Sequence, residues 1–393
     1  MKILITSDWY KSAINGVVTS VVNLINGLED MGHEVRVLTL SGSIHSYRAG
    51  KVTYIGSIGV GRIYPNARLK MALTHRYVRE IIEWGPDVVH SQCEFSTFFL
   101  AKKISQICNV PLVHTYHTVY EDYTHYFSPN VRVGKFLAAS FSKRILDKTQ
   151  MVIAPTKKTE HLLKEYEVKA PITTVPSGLE LNKFNAFLPE VKRKMLRNKF
   201  GVSENEILLV YIGRLAKEKN IEELFRLIDE LNINIKLLLV GDGPYRESLE
   251  KRSREMQIEN KVIFAGMAKP EKIVQFYKIG DIFVSASQSE TQGLTYIEAM
   301  AAGVPIICKK DSCLDDVVIN GENGFEYTTD DEFKEALSKL IESSDYRVKI
   351  GHAAAQTVAD NFSSVAFAKT MLDIYNSLIN NKKKCKSNKI DIS

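Results

Sequence analysis

The sequence predicts an α/β protein of two doubly wound parallel-sheet lobes that face a cleft between domains. Three observations carry that expectation. Short apolar runs of strand length alternate with segments whose apolar residues recur at helical spacing, which is the rhythm of a parallel sheet covered by helices. The rhythm breaks once, from Pro176-Ser177-Gly178 through Pro189, and then restarts. A length of 393 residues suits two domains at roughly 100–200 residues each. The expected division is a first lobe over 1–178, a second over 179–363, a helix over 364–380 that packs back toward the first lobe, and a basic, disordered tail over 381–393.

In the first lobe, Lys2–Thr6 is an apolar run of strand length. Val17, Val21, Val22, Leu24, Ile25 and Leu28 then fall at helical spacing from Gly16 onward, and Gly32 stands where a terminating glycine is expected. Glu34–Leu40 alternates as a strand, and Asp87–His90, Pro111–Thr115 and Met151–Ala154 are further short strands, each preceded by a helical stretch. In the second lobe, strands are expected at Ile207–Ile212, Lys236–Val240, Lys261–Phe264, Asp281–Ser285 and Pro305–Cys308. Between them fit helices at Ile221–Leu231, Tyr245–Met256, Glu271–Tyr277 and Thr295–Ala301, with a last helix at about Ser364–Ile379.

Composition bounds the function. The hydrophobic fraction is 45% and the charged fraction 25%, both ordinary for a globular protein that buries a core without staples. No apolar run approaches the roughly 20 residues of a membrane helix. Between Lys2 and the polar Ser7-Asp8 lie four residues, too few for a secretory apolar core of roughly 7–15. The five cysteines form no C-x-x-C and read as reduced cytosolic thiols, with no zinc expected. The net charge of +6 is unevenly spread. Residues 1–180 carry 21 Lys and Arg against 15 Asp and Glu, residues 181–380 carry 26 against 30, and the tail adds five lysines against one aspartate. A cationic first lobe and tail suit an anionic partner or surface, or else a plain excess of solvated lysines.

Neither lobe contains G-x-G-x-x-G, and no G-x-x-x-x-G-K-[ST] occurs, which disfavours a nicotinamide oxidoreductase and a P-loop kinase. The informative stretch runs from Ser285 to Pro305. It follows a strand, carries Glu290 in the turn, Gly293 after it and Glu298 about one turn into a helix, and ends A-x-x-x-G-x-P. Gly293 lets backbone approach a ligand, and the N–H groups from Gly293 through Leu294 to Thr295 would lie at a helix N-terminus, where phosphate is favoured. The pair Arg214 and Lys219, five apart between a strand and a helix, offers a bidentate donor and a point charge to the same phosphates. Two solvated cations and two ordinary helix acids are the plainer readings of these residues.

The Glu290–Glu298 spacing resembles the E-x7-E signature of the family four retaining glycosyltransferases, which have the GT-B fold of two Rossmann-like lobes. The resemblance spans nearly the whole chain. Asn15-Gly16-Val17 with Gly32-His33-Glu34-Val35, Pro86-Asp87-Val88-Val89-His90, Gly213-Arg214-Leu215 with Glu218-Lys219, and Val240-Gly241-Asp242-Gly243-Pro244 are similar to that family's successive motifs. One departure is Asn220, where a glycine commonly follows the lysine. The resemblance implies a UDP-hexose donor, with Arg214 and Lys219 on its diphosphate, Glu298 on the ribose hydroxyls and Glu290 on the sugar. Gly16 would let first-lobe backbone N–H groups reach the phosphates as the lobes close. No protein nucleophile, cofactor or metal is implied, since the two cations would neutralise the leaving group.

A second cluster runs from Val113 to Phe127 with eight aromatic or imidazole groups. There His117 looks like the family's active-site histidine, whereas His114, on the strand, reads as a core residue. The run from Tyr116 to Tyr126 is similar, more narrowly, to bacterial diacylglycerol and monoglucosyldiacylglycerol glycosyltransferases, which implies a membrane glycerolipid acceptor (diacylglycerol or its monoglycosylated form) held by Tyr120, Glu121, Asp122 and Tyr126. Next come Arg132, Lys135, Phe136, Phe141, Lys143 and Arg144, cations mixed with large apolar groups as in interfacial helices, with Leu137, Phe141 and Ile145 as the apolar stripe. Arg62, Arg68, Lys70, Arg76 and Arg79 would widen the cationic patch. The expected partners are therefore a UDP-hexose and an anionic membrane surface approached from the cytoplasmic face, with no nucleic acid. A soluble, polysaccharide or teichoic-acid acceptor, and a non-enzymatic nucleotide-sugar binder, remain open alternatives.

Overall fold

The computed structural model describes residues 1–10, 16–59, 68–70, 76–121, 124, 130–231 and 233–390, the side chains of 383–390 excepted. The chain divides into two compact units, Met1–Gly178 with Ser364–Ser393, and Leu179–Ser363.

The first unit is built on an eight-stranded sheet. Its order is Ile172–Thr174, Met151–Ala154, Leu112–Thr115, Val88–Ser91, Lys2–Thr6, Glu34–Leu40, Val52–Ile55 and Tyr47–Ala49. Every pairing is parallel except the last. The central strands are buried on both faces, as in Lys2–Thr6, where Ile3, Leu4 and Ile5 are each fully buried. That is why they read as continuous apolar runs. The chain lays Glu34–Leu40 on one flank of Lys2–Thr6 and later returns to its other flank with Val88–Ser91. The topological switch point therefore lies between Lys2–Thr6 and Val88–Ser91, where open α/β sheets form the crevice that binds ligands.

The helix Ser364–Ile390 also belongs to this unit. It lies against the helix Gly16–Asp30, so closely that a Cβ on Gly27 would stand 2.8 Å from the Ala368 methyl. Phe367, Ala368, Met371 and Tyr375 enter the core shared with Ile3, Ile5 and Leu24. The helix runs to Ile390, so residues 381–390, read from the sequence as disordered, are helical. They contain no glycine or proline to stop the ladder, and lysine is a good helix former.

The second unit has a six-stranded, wholly parallel sheet in the order Val262–Gly266, Ile235–Val240, Ile207–Ile212, Ile282–Ser285, Ile306–Lys309 and Phe325–Tyr327. Its switch point lies between Ile207–Ile212 and Ile282–Ser285. Helices Ile221–Asp229 and Arg246–Glu255 cover the sheet on one side of the chain's path, and Leu294–Ala301 with Ser344–Asn361 on the other. Gly351 sits so near Gly303 that a Cβ would be 2.1 Å from the Gly303 carbonyl oxygen.

Candidate active site

Each switch point gathers side chains at the carboxyl ends of its strands. In the second unit, the loop after Ile207–Ile212 carries Arg214 and Lys219, and the loop after Ile282–Ser285 carries Glu290. Lys219 Nζ donates to Glu290 Oε1 at 2.6 Å and lies 3.5 Å from Ser289 Oγ. Ser289 Oγ in turn donates to the Glu218 carbonyl at 3.1 Å, tying the two loops together. Arg214 is ion-paired with Glu218. Both cations expected on a diphosphate are thus held beside carboxylates.

The glycine motifs serve this geometry. A Cβ at Gly241 would lie 1.9 Å from the Gly213 carbonyl oxygen, and one at Gly243 2.3 Å from that of Leu215. The loop 241–244 therefore presses backbone to backbone against the Arg214 loop, with Leu215 N–H bonded to the Asp242 carbonyl at 3.0 Å. Asn220 has φ 51°, in the left-handed region. That conformation explains the glycine usual at this place, and asparagine is among the few side-chain-bearing residues that tolerate it. Its Nδ2 donates to Glu223 Oε2 at 2.6 Å.

Gly293 has φ 71°, and a Cβ there would stand 2.3 Å from the Tyr296 ring. It opens the helix Leu294–Ala301 without any side-chain cap. The first N–H groups of that helix, from Leu294 and Thr295, have no intrahelical carbonyl to meet, so they suit an anion. One turn on, Glu298 Oε2 accepts from the Tyr277 hydroxyl at 2.6 Å. Burial pushes the Glu298 carboxyl up to about 7, against the lowering effect of the Tyr277 bond.

In the first unit, His117 follows the strand Leu112–Thr115. Its Nε2 is 2.7 Å from Gln92 Oε1, in the loop after Val88–Ser91. Loss of water and then the neighbouring His114 push the His117 imidazole down to about 3, so it is neutral near pH 7. His114 is fully buried, as expected of a core histidine, with Nε2 3.2 Å from Glu94 Oε1. Glu94 is a residue the sequence reading missed. It is buried, and its Oε2 accepts from the Tyr120 hydroxyl at 2.6 Å. A carboxylate beside Gln92 at the end of a buried strand was the available signal. Gly16, exposed, is the first residue of its helix.

The acceptor set divides. Tyr120 turns inward to Glu94, and Glu121 is ion-paired with Lys135 at 3.1 Å. Asp122 and Tyr126, like Asn15 and Arg62, lie outside the described residues. On the helix Val131–Leu146 the expected stripe Leu137, Phe141 and Ile145 does not form one buried face. Gly134, Ala138, Ser142 and Ile145 are buried, because they sit one above another on the sheet side. Phe141 is half-buried and stacks on Phe95, ring centroids 5.5 Å apart. Phe136 and Leu137 are instead 70% and 50% exposed, beside the exposed Arg132. Lys143 pairs with Glu167 at 2.9 Å, while Arg144 is exposed. Nearby, the Lys148 ammonium is pushed down by loss of water and then by Lys102 and Arg144, so those three cations share one neighbourhood. Arg68 is engaged internally, donating to Ser57 Oγ and the Gly42 carbonyl. Among the described residues no three His, Cys, Asp or Glu side chains gather as a metal would need, and no helix is long and apolar enough to cross a membrane.

Two parallel-sheet units with these residues at their switch points define a glycosyltransferase of the GT-B class. Residues 14–183 match "Glycosyltransferase Family 4" and residues 192–357 match "Glycosyl transferases group 1". The α-monoglucosyldiacylglycerol synthase of Acholeplasma laidlawii is 33% identical over 98% of this chain and 99% of its own length. That of Streptococcus pneumoniae is 31% identical over 87% of this chain and 78% of its own. The structure of Anabaena Alr3699/HepE in complex with UDP and glucose superposes with a TM-score of 0.76 at 19% identity, over 96% of this chain and 100% of that one. The chain belongs to glycosyltransferase family four.

Proposed function

We propose that the protein transfers a hexose, with retention of configuration, from a UDP-sugar to a hydroxyl of a membrane glycerolipid, diacylglycerol or its monoglycosylated form. The observation that carries the reading is the Lys219–Glu290 pair at 2.6 Å, beside Arg214 and the uncapped helix start at Gly293. The chemistry of a nucleotide sugar fits those groups. Its diphosphate must leave with developing negative charge. Arg214 and Lys219 move from Glu218 and Glu290 to the phosphate oxygens, and the N–H groups of Leu294 and Thr295 add backbone donors. Freed of Lys219, Glu290 holds hydroxyls of the sugar and favours the cationic character that grows at its anomeric carbon. The departing phosphate takes the acceptor's proton on the same face, which retains configuration without a protein nucleophile. Neutral His117 hydrogen-bonds the sugar. The relatives named for monoglucosyldiacylglycerol synthesis support a lipid acceptor. So do Phe136 and Leu137, exposed among cations on the first unit, as a membrane-facing surface on the cytoplasmic side.

The test crosses UDP-glucose, UDP-galactose and UDP-N-acetylglucosamine with diacylglycerol and monoglycosyldiacylglycerol in anionic vesicles and with soluble sugars. The expected result is an α-linked glycolipid from one UDP-hexose. Efficient transfer to soluble sugars with none to lipid overturns the acceptor, and a β-linked product overturns the mechanism.

A further inference from the structure

We propose that Tyr277 is a positioning residue of the nucleotide site, its hydroxyl holding one oxygen of Glu298 so that the other is presented to the ribose hydroxyls. This deepens the donor reading above and rests on it. Tyr277 is fully buried on the helix Ile273–Ile279, with its ring 6.4 Å from that of Phe184 and 6.0 Å from that of Phe283. A ring caged in this way fixes where its hydroxyl stands. The bond at 2.6 Å commits Oε2 of Glu298, and Oε1 has no partner among the described residues. A carboxylate on a free side chain can rotate. Anchored by one oxygen, it offers the other in a set plane, as an acceptor of two neighbouring hydroxyls requires.

The surroundings of Glu298 supply no cation. Among the described residues no lysine or arginine pairs with it. From the helix Ile273–Ile279 it meets Tyr277, behind which Tyr211 stands on the strand Ile207–Ile212. The helix Leu181–Phe184 contributes Phe184 to the same cage, and its Lys183 is paired with Glu180. The helix Ser344–Asn361 packs on Leu294–Ala301 through the small residues Gly351 and Ala354. The Tyr277 hydroxyl is thus the group that favours the charged form of Glu298, opposing the burial that pushes the carboxyl up to about 7. Burial and Glu298 together hold the Tyr277 phenol well above its ordinary range, so it stays a donor.

The experiment measures UDP affinity of the full chain by calorimetry from pH 6 to pH 9. In the wild type, affinity rises through about pH 7 as Glu298 ionises. Tyr277→Phe keeps the ring and removes the donor, so the rise moves to higher pH. The expected loss is about tenfold at pH 6 and within about twofold at pH 9, the scale of one hydrogen bond to a charged group. The titration of UDP itself is common to both proteins and cancels in the comparison. A tyrosine that merely fills space predicts the same loss at every pH, and that result, or no loss, overturns the proposal. Difluorotyrosine at position 277 keeps the ring and strengthens the donor, so its curve moves to lower pH. If Tyr277→Phe does not fold, that protein decides the matter, and an unmoved curve overturns the proposal. A wild type whose UDP affinity is real but flat with pH also overturns it while sparing the donor site. No UDP binding at any pH overturns both.

Discussion

Lys219 and Glu290 stand 71 residues apart in the chain and 2.6 Å apart in space. In the proposed mechanism each is released to the substrate when the other is. Lys219→Ala and Glu290→Ala are each expected to lower kcat by roughly 10²-fold, the scale of losing one transition-state contact. Steady-state kinetics with the active UDP-hexose checks this, and near-normal turnover in both variants would remove the pair from the chemistry. Both residues stood out in the sequence because the glycines and the strand–loop–helix pattern around them are what a phosphate site would need. Their mutual contact did not, since no local spacing encodes it. Glu94 was harder still. Its partners His114 and Tyr120 lie 20 and 26 residues further on, so its one local mark is its place just past Gln92 at the end of a buried strand. Asn220 is the opposite case. An apparent departure from the motif turned out to preserve the backbone conformation the motif requires.

At the scale of elements, the helix Val131–Leu146 shows how periodicity misleads on a small-residue face. Gly134, Ala138 and Ser142 bury the helix without large apolar side chains, so the eye settles on Leu137 and Phe141 instead. The consequence is useful, because Phe136 and Leu137 are left outward next to Arg132 and Arg144. Replacing both with serine is expected to weaken cosedimentation with anionic vesicles roughly tenfold or more, since full burial of each such side chain is worth about 1.5–3 kcal/mol. UDP affinity should be unchanged, and equal vesicle binding by the variant would show that this face does not dock. Central strands such as Ile207–Ile212 were legible as unbroken apolar runs, while Tyr47–Ala49, Ile172–Thr174 and Phe325–Tyr327 were not. Each of those is three residues long, and each lies at the edge of its sheet.

At the scale of the whole molecule, two α/β units were readable from the strand–helix rhythm, while the strand order that sets a switch point in each was not. The chain's last helix, expected to pack back toward the first lobe, belongs to the first unit in the structure, where its apolar face enters that unit's core. Tyr375 and His90 are both fully buried, and the Tyr375 hydroxyl is 2.6 Å from His90 Nδ1. A chain ending at residue 363 loses that bond together with Phe367, Ala368 and Met371 from the core. Large core residues cost about 2–5 kcal/mol each when removed, so the first unit should unfold outright while the second retains a cooperative transition. Urea unfolding followed by circular dichroism and limited proteolysis checks this, and an intact first unit in the truncated chain would refute it.

The place of that last helix sets an order of events on the ribosome. Domains generally fold as units, the N-terminal one first as it emerges. Here residues 1–178 emerge first but lack part of their own interior, which is supplied by Phe367 through Leu378 of the last helix. The second unit is continuous from 179 to 363 and is complete sooner. The nascent chain therefore holds an unfinished domain waiting through the whole synthesis of its neighbour, with the apolar face of the Gly16–Asp30 helix uncovered meanwhile. Of the two halves, the first-made is the one that matures last, and it is the half that chaperones would have to guard.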